Sequence, residues 1–257
     1  MKEIQAVKNP LIKELRKLHQ KKHRQEQGRF LLEGFHLVEE AAENQAAIQM
    51  ILVNQRGLQE WQEWLQRYET LEQYLVSDEV MDSLSDLPTP QGIIAVVSQA
   101  QPVADIKKGR WLLLDRVQDP GNVGTMVRTA DAAGFSGVIL GVGCADPFST
   151  KVLRSMQGSN FHLPILNGAL ETIIPELKAA GMTVYGTELN EAARPFQTVE
   201  NEENVALLMG NEGQGVARNL LEMTDLNLYI PIYGKAESLN VGVAAGILMY
   251  HFSGNFF

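Results

Sequence analysis

Three short polar clusters, each following an apolar run, hold the residues of this 257-residue chain best suited to chemistry. The first is Asp119-Pro120-Gly121-Asn122-Val123-Gly124, with Arg128 beyond it. The second is Gly210-Asn211-Glu212-Gly213-Gln214-Gly215, and the third runs from Ile230 to Val241 through Ser238, Leu239 and Asn240. Loops of this kind at the carboxyl ends of strands form the ligand crevices of α/β sheets. The closely spaced glycines of the second cluster let the backbone turn sharply and approach a ligand without a Cβ in the way. Glu212 is poorly suited to a phosphate and well suited to bracing the loop as an acceptor. Neither Gly-x-Gly-x-x-Gly nor a closing Gly-Lys-Ser/Thr occurs there, which argues against dinucleotide and P-loop readings. Gly141-Val142-Gly143 is a partial match that lacks the third glycine. Backbone groups around Ile230 and Leu239 suit the edge of an adenine held against an apolar wall.

Each of these residues also has a plainer reading. Asn122 can cap a helix that begins at Val123 after the Asp-Pro-Gly turn, and Ser238 can cap the last helix. Arg128 taken alone is an exposed or salt-bridged helical residue. Trp61 and Trp64 can stack on bases, yet their helical spacing favours a core role. His19, His23, His36, His162 and His251 have no ligand spacing, so no metal site is expected.

The elements that must position the clusters alternate along the chain. Residues 1–28 read as a basic helix with Leu11, Leu15 and Leu18 on one side. A small α/β domain follows over 29–98. Its strands are Arg29–Leu32, Gln49–Val53, Tyr74–Ser77 and Gly92–Ser98. Its helices are Phe35–Ala42, Leu58–Tyr68 and Glu79–Leu84, the last capped by Asp78. Residues 99–109 (QAQPVADIKKG) are polar and read as a linker. From 110 to 257, strands at Trp111–Asp115, Gly137–Gly141, His162–Ile165, Thr183–Thr187, Val205–Met209 and Leu226–Ile232 are separated by helices. Those helices are expected at Val123–Ala133, Thr150–Met156, Ala169–Ala180, Val216–Met223 and Leu239–Phe252. Apolar strands separated by helices predict a parallel sheet covered on both faces.

Taken as a whole, the net charge of −9 argues against a polyanionic partner. Residues 1–30, however, carry nine basic and three acidic residues, a net +6 that leaves −15 on the remainder. A basic arm on an acidic body holds RNA locally, and the alternative is an ordinary solvated helix face. The single cysteine, Cys144, excludes an intramolecular disulfide and fits a reducing compartment. The first residues lack the apolar core of a signal peptide, and Val241–Met249 is far too short to span a bilayer. A cytoplasmic protein with no membrane partner is expected.

Together the three clusters resemble the three motifs of the SpoU/TrmH family of RNA 2′-O-ribose methyltransferases, part of the SPOUT superfamily. The pattern Asn-x-Gly-x-x-x-Arg-x-Ala matches Asn122, Gly124, Arg128 and Ala130. Gly-x-Glu-x-x-Gly matches Gly210, Glu212 and Gly215, and Ser238-Leu239-Asn240 matches the third motif. Where the family usually writes Asn-Val-Ser-Val-Ala, this chain has Gly242 in place of the serine. The resemblance implies S-adenosylmethionine as cofactor, held by Thr187, Met209, Gly210, Ile230, Ile232 and Leu239. It implies Arg128, Asn122, Glu212, Ser238 and Asn240 as the catalytic set, with Arg128 as base or as electrostatic stabiliser. It also implies a deep carboxyl-terminal trefoil knot, a homodimer and an RNA substrate, with ribosomal RNA (23S) favoured over tRNA. Over 29–98 the likeness is looser. Phe30-Leu31-Leu32-Glu33-Gly34 looks like the start of the family's RNA-binding domain, similar to the ribosomal L30e fold. The competing readings are a non-catalytic RNA-binding module that keeps the fold and, more distantly, a small-molecule enzyme of Rossmann type.

Overall fold

The computed structural model describes residues 1–99 and 104–253, and the chain divides into two compact units. One comprises Met1–Ala100 together with Phe148–Phe161, and the other Gln101–Pro147 together with His162–Phe257.

The first unit runs β1 (Lys2–Ile4), α1 (Pro10–Arg16), α2 (Lys21–Gln27), β2 (Arg29–Glu33), α3 (Phe35–Glu43), β3 (Ile48–Val53), α4 (Gln55–Glu60), α5 (Gln62–Arg67), β4 (Glu72–Val76), α6 (Asp78–Leu84) and β5 (Ile93–Ser98). Its sheet has the order β1-β4-β3-β5-β2, with β5 antiparallel to both of its neighbours. Residues 1–28 are therefore not a separate basic helix. β1 pairs with β4 at the sheet edge, and Ile12, Leu15 and Leu18 are buried in a core with Leu52, Val80 and Met81. A 3-10 turn at Lys17–His19 interrupts the helix, and Gly28 ends α2 in the left-handed region at φ 61°. The expected helix over Leu58–Tyr68 is two short ones broken at Trp61. Trp64 is buried in the core, and the half-buried Trp61 stacks on Phe35 at 4.9 Å. Ser77, not Asp78, caps α6, accepting from the Val80 N–H at 3.3 Å.

The remaining elements are β6 (Arg110–Leu114), α7 (Pro120–Ala132), β7 (Gly137–Leu140), α8 (Thr150–Met156), β8 (Ile165–Asn167), α9 (Leu170–Ala179), β9 (Thr183–Thr187), β10 (Arg194–Pro195), β11 (Val205–Met209), α10 (Arg218–Leu221), β12 (Leu226–Tyr229) and α11 (Val241–Phe252). The strands form a parallel sheet of order β10-β12-β9-β11-β6-β7-β8, as the alternating pattern predicts. The two-residue β10 carries no sequence signal. Of the polar linker, Ala100–Val103 lies outside the described residues, while Ala104 and Ile106 pack on the core of the second unit.

α8 lies where the sequence places it but belongs to the first unit. Phe148 meets Phe30 with ring centroids 5.0 Å apart, and the Thr150 hydroxyl donates to Asp86 at 2.7 Å. Central strands β6 and β11 are apolar throughout Leu112–Leu114 and Val205–Met209, as burial on both faces demands. Their register pairs Leu114 with Met209, so the chains leaving them start side by side at one edge of the sheet.

Candidate active site

β6 exits at Asp115 and β11 exits at Gly210. The Asp115 carboxylate, 4% exposed, is the post that joins them. It accepts from the Ala217 N–H at 2.8 Å and from Arg116 at 3.0 and 3.1 Å. Arg116 sits in the left-handed region at φ 52°, and its carbonyl accepts from the Asn211 amide at 2.9 Å. The second loop closes on itself, because Asn211 and Gly215 exchange both backbone hydrogen bonds at 3.0 and 2.9 Å. A Cβ on Gly210 would overlap the backbone at Gly215 and Val216, so this position requires glycine. Asp115 and Arg116 were missed in the sequence; an acid ending a Leu-Leu-Leu strand was the available signal.

The cap of α7 is Asp119, not Asn122. Its carboxylate accepts from the Asn122 N–H at 2.8 Å, with Pro120 in the first turn. That frees the Asn122 side chain for another task. Its Nδ2 donates to Glu212 Oε1 at 3.0 Å, and its Oδ1 accepts from Asn240 Nδ2 at 3.1 Å. Asn240 in turn caps α11, its Oδ1 accepting from the N–H groups of Gly242 and Val243 at 2.9 and 3.3 Å. The direction of every bond in this chain is fixed, since an ionised carboxylate accepts only and a helix N-terminus donates only. Partial burial works against the charge of Glu212. The Asn122 amide and backbone N–H groups around Asp119 outweigh it and hold the carboxyl below the ordinary range. One residue from each of the three clusters thus meets in a single hydrogen-bonded line.

Ser238 stands outside that line. The last helix begins at Val241 rather than Leu239, so Asn240 takes the capping role assigned to the serine, and Ser238 is exposed. Gly242 lies beside the line: a Cβ there would sit 3.2 Å from Asn240 Oδ1 and 3.7 Å from Asn122 Oδ1. Arg128 is exposed on α7, and among the described residues its guanidinium has no ion pair or hydrogen bond. Cys144 donates to the Leu114 carbonyl at 3.2 Å, and burial pushes its thiol up to about 11.

The expected cofactor residues share the same sheet edge. Thr187 ends β9 and donates to the Leu208 carbonyl of neighbouring β11 at 2.9 Å. Met209 and Gly210 end β11, and Ile230 follows β12 directly. Between Ile230 and Leu239, among the described residues, the backbone makes no backbone hydrogen bond, and Ile232 and Leu239 are exposed. Free backbone donors and acceptors beside apolar side chains are the chemistry an adenosine requires, so these residues fit S-adenosylmethionine. Among the described residues, no group of three or more His, Cys, Asp or Glu could hold a metal ion, and no helix is long and apolar enough to cross a membrane.

A parallel sheet with three cross-tied loops at one edge, the first of them opening the helix that carries Arg128, is the architecture of an α/β enzyme with its site at the strand ends. The chain belongs to the SpoU rRNA methylase family, whose model matches residues 109–250. A second model, the MRM3-like substrate binding domain, matches residues 9–95. The chain is 48% identical to the 23S rRNA (guanosine(2553)-2′-O)-methyltransferase RlmP of Bacillus subtilis, over 99% of this chain and 100% of that one. Among solved structures it is similar to the AdoMet-bound rRNA methyltransferase of Sinorhizobium meliloti, with TM-score 0.87 and 33% identity over 98% and 97% of the two chains. It is also similar to the SpoU methyltransferase AviRb of Streptomyces viridochromogenes in complex with AdoMet, with TM-score 0.85 and 27% identity over 96% and 97%.

Proposed function

We propose that this chain, an S-adenosylmethionine-dependent RNA methyltransferase, methylates a guanosine ribose 2′-OH in 23S rRNA and works in the cytoplasm. The observation that carries the reading is Arg128, an exposed cation without a partner among the described residues, on the same helix as Asn122, which is locked into Glu212 and Asn240. The cofactor supplies an electrophilic methyl group. Thr187, Met209, Gly210, Ile230, Ile232 and Leu239 would hold it, with the self-closed second loop giving its contacts a fixed backbone. A guanidinium holds its protons tightly and is a poor base. Arg128 therefore grips the adjacent phosphate and stabilises the developing alkoxide as the ribose proton passes to water. Asn122, Glu212 and Asn240 keep α7 and α11 in register with the second loop, and Ser238 stands exposed to meet the substrate.

The family's knot is supported by the way the last segments bind back onto the first loop, Asn211 at the Arg116 carbonyl and Asn240 at Asn122. An RNA-holding role for residues 29–98 is supported by the match of the MRM3-like substrate binding domain over 9–95. A homodimer is supported by α11. Gly242, Ala245 and Met249 are buried within the unit. Val243 and Tyr250, seven residues apart on one face, remain 54% and 59% exposed for a second copy. Sedimentation at micromolar concentration is expected to show a dimer, and a monomer rejects it. The function is tested by incubating the protein with labelled S-adenosylmethionine and unmodified 23S rRNA and locating the label. A single 2′-O-methylguanosine is expected; label on a base, or none, refutes the reading.

A further inference from the structure

The basic amino-terminal residues divide into committed and uncommitted cations. Lys2 reaches Glu72 at 2.5 Å, Lys22 lies 3.8 Å from Glu26, and Arg29 pairs with Glu14. The buried Arg24 donates to the carbonyls of Leu18 and His19 at 2.6 and 2.8 Å, which anchors the 3-10 turn. Lys13, Arg16 and Lys17 are exposed and, among the described residues, have no ion pair or hydrogen bond. Their spacing puts all three on one face. The opposite face holds Ile12 and Leu15, which are fully buried, so the stripe is carried on a fixed scaffold.

These three side chains line a recess of about 410 Å³ with His19, Gln20 and the end of α6. The volume equals that of roughly a dozen waters, room for a ribose and its phosphate. The one acid there, Asp86, accepts from the Thr150 hydroxyl at 2.7 Å with His19 Nδ1 3.1 Å from the same oxygen, and its single charge is outnumbered by the three cations. The hydroxyl protons of Ser83 and Ser85 are given to Val80 and Glu33, so the serines have none left for a ligand. Cations and one amide remain, a set that reads charge and not base edges.

We propose that this recess is a phosphodiester-binding site that holds the RNA substrate independently of sequence, an inference that rests on the functional reading above. The test is Lys13→Gln, Arg16→Gln and Lys17→Gln together, set against Lys107→Gln, Lys108→Gln and Arg218→Gln as a charge-matched control. Binding of a 23S rRNA fragment is measured across a salt series, with S-adenosylmethionine affinity alongside. The recess variant is expected to bind RNA at least about tenfold more weakly, and its slope of log affinity against log salt flattens by about two. Cofactor affinity and melting temperature stay at wild-type values, and the control moves by less than about twofold in affinity. Wild-type affinity and slope in the recess variant, or an equal loss in the control, overturns the site. So does an acidic peptide that competes as well as RNA at equal ionic strength. A wild-type protein that binds RNA but transfers no methyl group refutes the functional reading, and the binding comparison still decides the recess.

Discussion

One carboxylate in each unit is treated in the opposite way to the other, Glu33 buried in the first and Glu212 exposed at the loop in the second. In the first unit Glu33 ends β2 only 5% exposed, accepting from the Ser85 hydroxyl and from the Asp86 N–H at 3.3 Å. Burial is the larger influence and pushes its carboxyl above the ordinary range. In the second unit Glu212 meets the Asn122 amide and loop N–H groups, which hold it below that range. A carboxylate that braces a scaffold tolerates a poor environment for its charge. One that must stay ionised to orient an amide is given donors. The site is thus the more thoroughly preorganised of the two regions.

The harshest challenge to that contrast is Gly210→Ala. The added methyl overlaps backbone, not a flexible side chain, so the second loop must open. A loss of about 3 kcal/mol in stability is expected, and calorimetry together with cofactor titration would show it as a lower melting temperature with lost binding. Unchanged cofactor affinity would mean the loop is not the cofactor's support.

The two carboxylates offer a sharper test through pH. Glu212 has a depressed folded pKa. Its stabilising contribution is therefore present above the ordinary value of 4.5 and lost as pH falls through the folded value. Glu33 has a raised folded pKa. Its contribution is present below 4.5, lost as pH rises through the folded value, and replaced at neutral pH by the burden of a buried charge. Glu212→Gln is expected to destabilise at about pH 7 and Glu33→Gln to stabilise, with both differences shrinking towards about pH 4. Urea unfolding at both conditions measures them, and equal signs would erase the contrast.

Gly242→Ser should do least. A helical glycine is replaced by a better helix former, offset by a Cβ 3.2 Å from Asn240 Oδ1. The net change should stay under about 1 kcal/mol. A large loss of activity would show that the Asn122–Asn240 line has no room for the family's serine.

The three clusters and their places at strand ends were legible in the sequence, but the hydrogen bonds their side chains make were not. Asn122 reads as a cap from sequence, and only the Asp119 carboxylate in the folded turn shows that the position is taken. Ser238 and Asn240 compete for one helix start, a choice settled by where Asn122 lies and not by either side chain's propensity. Asp115 acts across two strands 91 residues or more apart in sequence, so its value depends on β6 and β11 being neighbours. The parallel sheet followed from its unbroken apolar strands. The place of α8 did not, because Phe148 finds Phe30 through the fold and no periodicity records that.

Arg128→Lys tests the central claim most directly. Lysine keeps the charge but loses the planar fork that grips phosphate and alkoxide together. Methyl transfer to 23S rRNA at saturating S-adenosylmethionine should fall by roughly a hundredfold or more in kcat, with cofactor affinity unchanged. Near-normal turnover by this variant would contradict the account.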